Sequence, residues 1–153
     1  MLTKGKNYQL LPLTNVVLFT AARLELWHKL AEPVLKQGGV VISARNWWST
    51  LAYQGYGEGI SRSKISRLTH EMLPKPYVEP DKAVILTLPD KVREEREKAR
   101  GKALETFEIK GDDFQQRVNH AYEKIARDLN IPVLEATGSI EEVHEKLKTL
   151  FQI

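Results

Sequence analysis

Apolar and polar positions along this chain follow two different periods. From Asn15 to Gln37 the apolar residues Val16, Phe19, Leu24, Trp27, Leu30, Ala31, Val34 and Leu35 roughly keep a helical repeat. Thr14 is the expected N-cap, after a lead-in over 1–12. Pro33 is expected to bend this helix, because it has no N–H and crowds the preceding turn. Gly38 and Gly39 end it. VVIS (40–43), AVILTL (83–88) and IPVLEA (131–136) are short apolar runs that read as buried strands. Between them come a short helix over 49–55, one capped by Ser61 and reaching about Leu73, and a charge-dense one over 90–108. A further helix is capped by Asp112 or Asp113 and runs to about Leu129. The last follows Gly138 and Ser139, with Ile140, Val143, Leu147 and Leu150 on one face. MLPKPYVEPD (72–81) holds three prolines and reads as an extended loop.

Apolar strands alternating with amphipathic helices predict an α/β fold, a parallel sheet of three strands covered by helices. The chain has 153 residues, enough for one domain with a real core. A net charge of +3 suits an anionic ligand but is too small to argue for nucleic acid, and the basic stretches lack interleaved aromatics. There is no cysteine, so disulfides and thiolate metal sites are ruled out. MLTKGKNYQLLPLT is too polar for a signal peptide, and no apolar run reaches membrane length. A cytoplasmic protein is expected. His28, His70, His120 and His144 are isolated, Asp112-Asp113 reads as a helix start, and no Ser–His–Asp pattern stands out, so neither a metal site nor a catalytic residue is assigned.

The segment LFTAARLELWHKLAEPVLKQGGVVISARNWWSTLAYQGYGEG resembles the thymidylate kinase family. Phe19 stands four residues before Arg23; Arg45 follows the expected strand; Ser49, Thr50, Leu51, Ala52, Tyr53, Gln54 and Gly55 match the family's segment close to Ser-Ser-Leu-Ala-Tyr-Gln-Gly. REKARGK (96–102) is similar to an arginine-rich lid, and LEATGSIEEVHEKL (134–147) to the last strand and helix. The resemblance implies a P-loop nucleoside monophosphate kinase fold, Rossmann-like with three layers, and transfer of phosphate from ATP to dTMP with Mg2+. It implies a dTMP pocket of Phe19, Arg23, Arg45, Thr50, Tyr53 and Gln54, and a lid over 90–108 carrying Arg96, Lys98 and Arg100. Each role suits its side chain: an aromatic face for the base, hydrogen-bonding groups for its edge, a guanidinium for the phosphate. It also implies a homodimer.

The chain departs from the family in places that belong together. The phosphate-cradling pattern G-x-x-x-x-G-K-[S/T] does not occur in it, and the glycines of GYGEG (55–59) read as a flexible turn rather than a substitute. The family's Asp-Arg is Ala44-Arg45, and a methyl group cannot ligate a hard cation. The usual tyrosine is Asn46, followed by Trp47 and Trp48, and Thr106 stands near a common lid arginine. Three readings follow. The chain is a dTMP-binding pseudoenzyme lacking the N-terminal P-loop strand and helix. Or it is the larger part of a split or truncated kinase, completed by a P-loop-bearing polypeptide in trans. Or it is an interaction module without a ligand, binding a partner through an open sheet edge.

Overall fold

The computed structural model describes residues 10–100 and 110–152, apart from the side chains of residues 97 and 100. The described residues form two compact units, one of 10–81 with 110–122 and one of 82–100 with 123–152.

The first unit is helical. Helix α1 (Pro12–Leu26) starts with Leu11 as N-cap and Pro12 at the first helical position. The N-cap expected at Thr14 is therefore three residues late: the fixed φ of proline and its missing N–H are free of cost at the first helical position. Val16 and Thr20 are buried, and the Thr20 hydroxyl donates to the Val16 carbonyl at 2.7 Å. A π-helical turn, Trp27–Ala31, joins α1 to α2 (Glu32–Lys36). The expected disturbance at Pro33 takes this form. Proline has no N–H for the carbonyl four residues back, and the Glu32 N–H instead reaches the Trp27 carbonyl.

Val40 to Ser43 does not form the expected strand. The segment has no regular structure, with Val40 82% and Ile42 92% exposed. An apolar run becomes a buried strand only when flanking strands take up its backbone groups, and among the described residues none pairs with it. Next come α3 (Trp47–Thr50) and a π-helical continuation over Leu51–Gly57. Gly55 and Gly57 thus sit in helical backbone rather than in a turn, and Gly59 takes the left-handed φ of +79° that ends it. Helix α4 (Arg62–Met72) is capped by the Ser61 hydroxyl, which accepts from the Lys64 N–H, as expected. The proline-rich segment is not wholly extended: α5 (Lys75–Val78) forms a single turn with proline in its first positions. Trp47, Leu73 and Val78 make a buried cluster against which Leu24, Trp48, Leu51 and Tyr77 pack. Trp47 Nε1 donates to the Val78 carbonyl at 3.1 Å.

The second unit holds a parallel pair, β1 (Ile85–Thr87) and β2 (Val133–Glu135), with Ile85 opposite Val133 and Thr87 opposite Glu135. The Ile85 N–H to Pro132 carbonyl and Ala136 N–H to Thr87 carbonyl bonds extend the ladder at both ends. Helix α6 (Asp90–Arg100) follows β1, and α8 (Ile140–Phe151) follows β2. Helix α7 (Asp112–Asp128) is divided between the units after Tyr122. The parallel α/β arrangement is present with two of the three expected strands. The rest of the lid-like segment, including Thr106, lies outside the described residues.

Candidate functional site

All six residues expected at the dTMP pocket lie in the first unit. The four-residue spacing of Phe19 and Arg23 on α1 places them on one face, and the Arg23 guanidinium lies 5.7 Å from the Phe19 ring centroid. That guanidinium is held by a second element. Nη1 donates to Thr50 Oγ1 at 2.9 Å, and Nη2 donates to the Asn46 carbonyl at 3.1 Å. Asn46 is itself fixed, because its side chain caps α3 by accepting from the Trp48 N–H. Among the described residues no carboxylate pairs with Arg23. Burial pulls its guanidinium below the usual range, the neighbouring Tyr77 and Tyr122 oppose this, and the charge of Arg45 adds to it. Arginine stays charged at neutral pH all the same.

Arg45 is exposed and lies 5.4 Å from the Tyr53 ring centroid. Tyr53 also meets Phe114 and Tyr122 of α7, at centroid separations of 6.1 and 6.5 Å. The Tyr122 hydroxyl donates to Ser49 Oγ at 2.9 Å. Its phenol is pushed up by burial, against the Ser49 hydrogen bond and the charges of Arg45 and Arg23. Two guanidinium groups thus share an aromatic-lined site.

Thr50 and Gln54 stand behind this site: Thr50 is 2% and Gln54 1% exposed. Thr50 serves Arg23, and Gln54 Nε2 donates to Glu58 Oε2 at 3.1 Å. Tyr77, Tyr122, Ser49 and the Asn46 carbonyl were not foreseen from sequence. Tyr122 meets Ser49 across 73 residues, and no periodicity announces such a pair.

Of the lid residues, Arg96 donates to the carbonyls of Ala136 and Gly138, at 3.1 and 2.9 Å, within the second unit. Lys98 is exposed, and the Arg100 side chain lies outside those described. A depression of about 600 Å³ along Tyr56, Gly59, Ser61 and Arg62 contains none of the expected dTMP residues.

The Ala44 side chain offers no oxygen ligand, and no three acidic, histidine or cysteine side chains gather among the described residues. Among the described residues no helix is long and apolar enough to cross a membrane.

Comparison with known proteins agrees with the resemblance. The thymidylate kinase family model matches residues 1–147. The chain is 32% identical to a thymidylate kinase of Pelobacter propionicus over 154 residues, covering 96% of this chain and 69% of that protein. It is 34% identical to one of Pseudoalteromonas translucida over 140 residues, covering 91% and 66%. The crystal structure of thymidylate kinase from Ehrlichia chaffeensis matches with a TM-score of 0.71 and 28% identity, over 97% of this chain and 70% of that one. The chain thus spans about two-thirds of the length of these relatives. With the family model covering nearly its whole length, the chain belongs to the thymidylate kinase family.

Proposed function

We propose that this chain is a thymidylate kinase-like protein that binds dTMP in the first unit and does not transfer phosphate by itself. The observation that carries the binding is the seating of Arg23 over Phe19 by Thr50 and the Asn46 carbonyl. A guanidinium held from behind by two acceptors is pre-oriented, so little freedom is lost when a ligand pairs with its remaining N–H groups. Phe19 offers a ring face for the base, Tyr53 borders the site, and Arg45 supplies exposed charge for the phosphate. Thr50 and Gln54 act from behind the surface.

The inactive half of the proposal rests on chemistry that needs particular groups. Phosphoryl transfer depends on positioning and neutralising the donor phosphates. These 153 residues contain no G-x-x-x-x-G-K-[S/T], and Ala44 replaces the aspartate of the family pattern. The family reaction, ATP + dTMP to ADP + dTDP, therefore needs groups from elsewhere. Calorimetric titration with dTMP, dUMP and ATP tests the reading. Selective dTMP binding that Arg23→Ala weakens supports it. No nucleotide binding by folded protein overturns it, and dTDP formation by this chain alone overturns its second half.

One observation favours a second reading, in which a P-loop-bearing polypeptide completes an active kinase in trans. Val40, Val41 and Ile42 are apolar, exposed and outside any ladder among the described residues. An added strand is the partner such a segment fits. Kinase activity on mixing with a P-loop polypeptide, absent from either part alone, would decide for it.

A further inference from the structure

Glu58, the acceptor for the Gln54 amide, has a side chain only 6% exposed. A carboxylate is this deeply buried only at a cost that partners must offset. Its two oxygens are divided between two partners. Oε1 accepts from Lys110 Nζ, and Oε2 accepts from Gln54 Nε2 at 3.1 Å. The surrounding turn is closed by main-chain hydrogen bonds. The Glu58, Gly59 and Ile60 N–H groups bond the carbonyls of Tyr53, Gly55 and Gln54 at 2.9, 3.0 and 2.9 Å. Arg117 Nη2 donates to the Gly57 carbonyl at 3.3 Å.

Gln54 is 1% exposed, so a ligand reaches at most one end of its amide. The other end is on Glu58. An ionised carboxylate only accepts, so the end facing it is the NH2, and the end left over is the carbonyl oxygen. An amide that could turn freely would serve as donor or acceptor alike; this one is an acceptor. Among pyrimidines, thymine and uracil carry an N–H at position 3, whereas cytosine has a lone pair there.

We propose that Glu58 is a positioning residue that fixes the Gln54 amide with its carbonyl toward the bound base, and thereby selects pyrimidine nucleotides with an N–H at position 3 over cytosine nucleotides. The proposal rests on the reading of this unit as a nucleotide site. Lys110 makes the effect of a substitution directional. In Glu58→Gln the ammonium takes the one remaining carbonyl, the new NH2 faces Gln54, and the Gln54 amide must turn over.

The test is titration of the full chain with dTMP and dCMP, in the wild type, Glu58→Gln, Gln54→Met and the double variant. The wild type prefers dTMP. Glu58→Gln lowers the dTMP-to-dCMP affinity ratio about tenfold or more, the worth of one hydrogen bond to a base edge. Gln54→Met lowers it too, and Glu58→Gln adds nothing in that background, as expected when one residue acts through the other. Should Glu58→Gln unfold, Glu58→Asp carries the same direction, because its shorter arm keeps the charge for Lys110 and lets go of Gln54. An unchanged ratio in a folded Glu58 variant, or a further loss in the Gln54→Met background, overturns the proposal while dTMP binding stands. Failure of the wild type to bind either nucleotide overturns the nucleotide site and this proposal with it.

Discussion

Arg23 Nη1 donates to Thr50 Oγ1 at 2.9 Å, joining residues 27 apart in the chain. The bond divides the site into a face and a backing. Phe19, Arg23 and Tyr53 are half-buried and Arg45 is exposed, while Thr50 lies beneath them at 2% exposure. Helix α3 therefore contributes acceptors that aim the guanidinium of α1.

Thr50→Val keeps the volume of this buried side chain and removes the acceptor. The variant is expected to lose about 1 kcal/mol of stability, the net worth of one hydrogen bond with its donor left partly satisfied by Asn46. dTMP affinity is expected to fall about five- to tenfold, because Arg23 must be ordered on binding instead of beforehand. Urea denaturation and calorimetric titration read the two effects. A large loss of stability with unchanged affinity would show that Thr50 is only a core residue.

The pairing of Phe19 with Arg23 was readable in the sequence because a helix brings positions four apart together whatever the tertiary fold. The cap at Ser61 and the strands at Ile85–Thr87 and Val133–Glu135 were readable for similarly local reasons. Val40 to Ser43 was not. Its β-branched composition says that it suits a sheet, but whether a strand forms depends on neighbours that composition does not specify. The backing of the site was hidden for the same reason. Glu58 reads as one charge in a glycine-rich stretch until Lys110 and Gln54 are seen on its two oxygens. The π-helical turns at Trp27–Ala31 and Leu51–Gly57 have no periodic signature of their own, although Pro33 marked the position of the first.

Gly57→Ala tests the packing of α7 on the turn that carries Glu58. A Cβ at Gly57 would sit 2.5 Å from Phe114 Cε2, and Phe114 is 4% exposed with little room to retreat. Overpacking of this kind costs about 1–3 kcal/mol. The variant is expected to show a lower denaturation midpoint, and Gly57→Ala with Phe114→Leu to recover part of the loss. Equal stability of Gly57→Ala and wild type would mean that Phe114 moves aside freely.

Alkaline pH should expose the state of Tyr122 and Tyr77, both pushed up chiefly by burial. A phenol whose pKa is higher folded than unfolded favours the folded state at pH values below the unfolded pKa, about 10. That contribution is lost as pH rises from there through the folded value. Urea midpoints at about pH 8 and about pH 11 should therefore fall less steeply in Tyr122→Phe than in wild type. At about pH 8 the variant should lose about 0.5–1.5 kcal/mol, because its hydrogen bond to Ser49 is gone. Parallel pH profiles for the two proteins would place the sensitivity elsewhere.

In the second unit the start of α8 gives a prediction that separates stability from binding. Ser139 and Glu142 form a reciprocal pair: the Glu142 N–H bonds Ser139 Oγ at 3.2 Å, and the Ser139 N–H bonds Glu142 Oε2 at 2.8 Å. Ser139→Ala removes one half and leaves the Glu142 N–H without its partner, at a cost of about 0.5–2 kcal/mol. Gly138→Ala disturbs the other half by a different route. Gly138 has φ of +102°, and a Cβ there would fall 2.3 Å from Glu142 Oε2, so the substitution combines backbone strain with displacement of the carboxylate. It should destabilise more than Ser139→Ala. None of the proposed dTMP residues lies in this unit, so dTMP affinity measured below the unfolding transition should stay within about twofold of wild type, since substitutions that share no partner with the site act independently. A large drop in affinity for either variant, with the fold retained, would show that the cap of α8 bears on nucleotide binding.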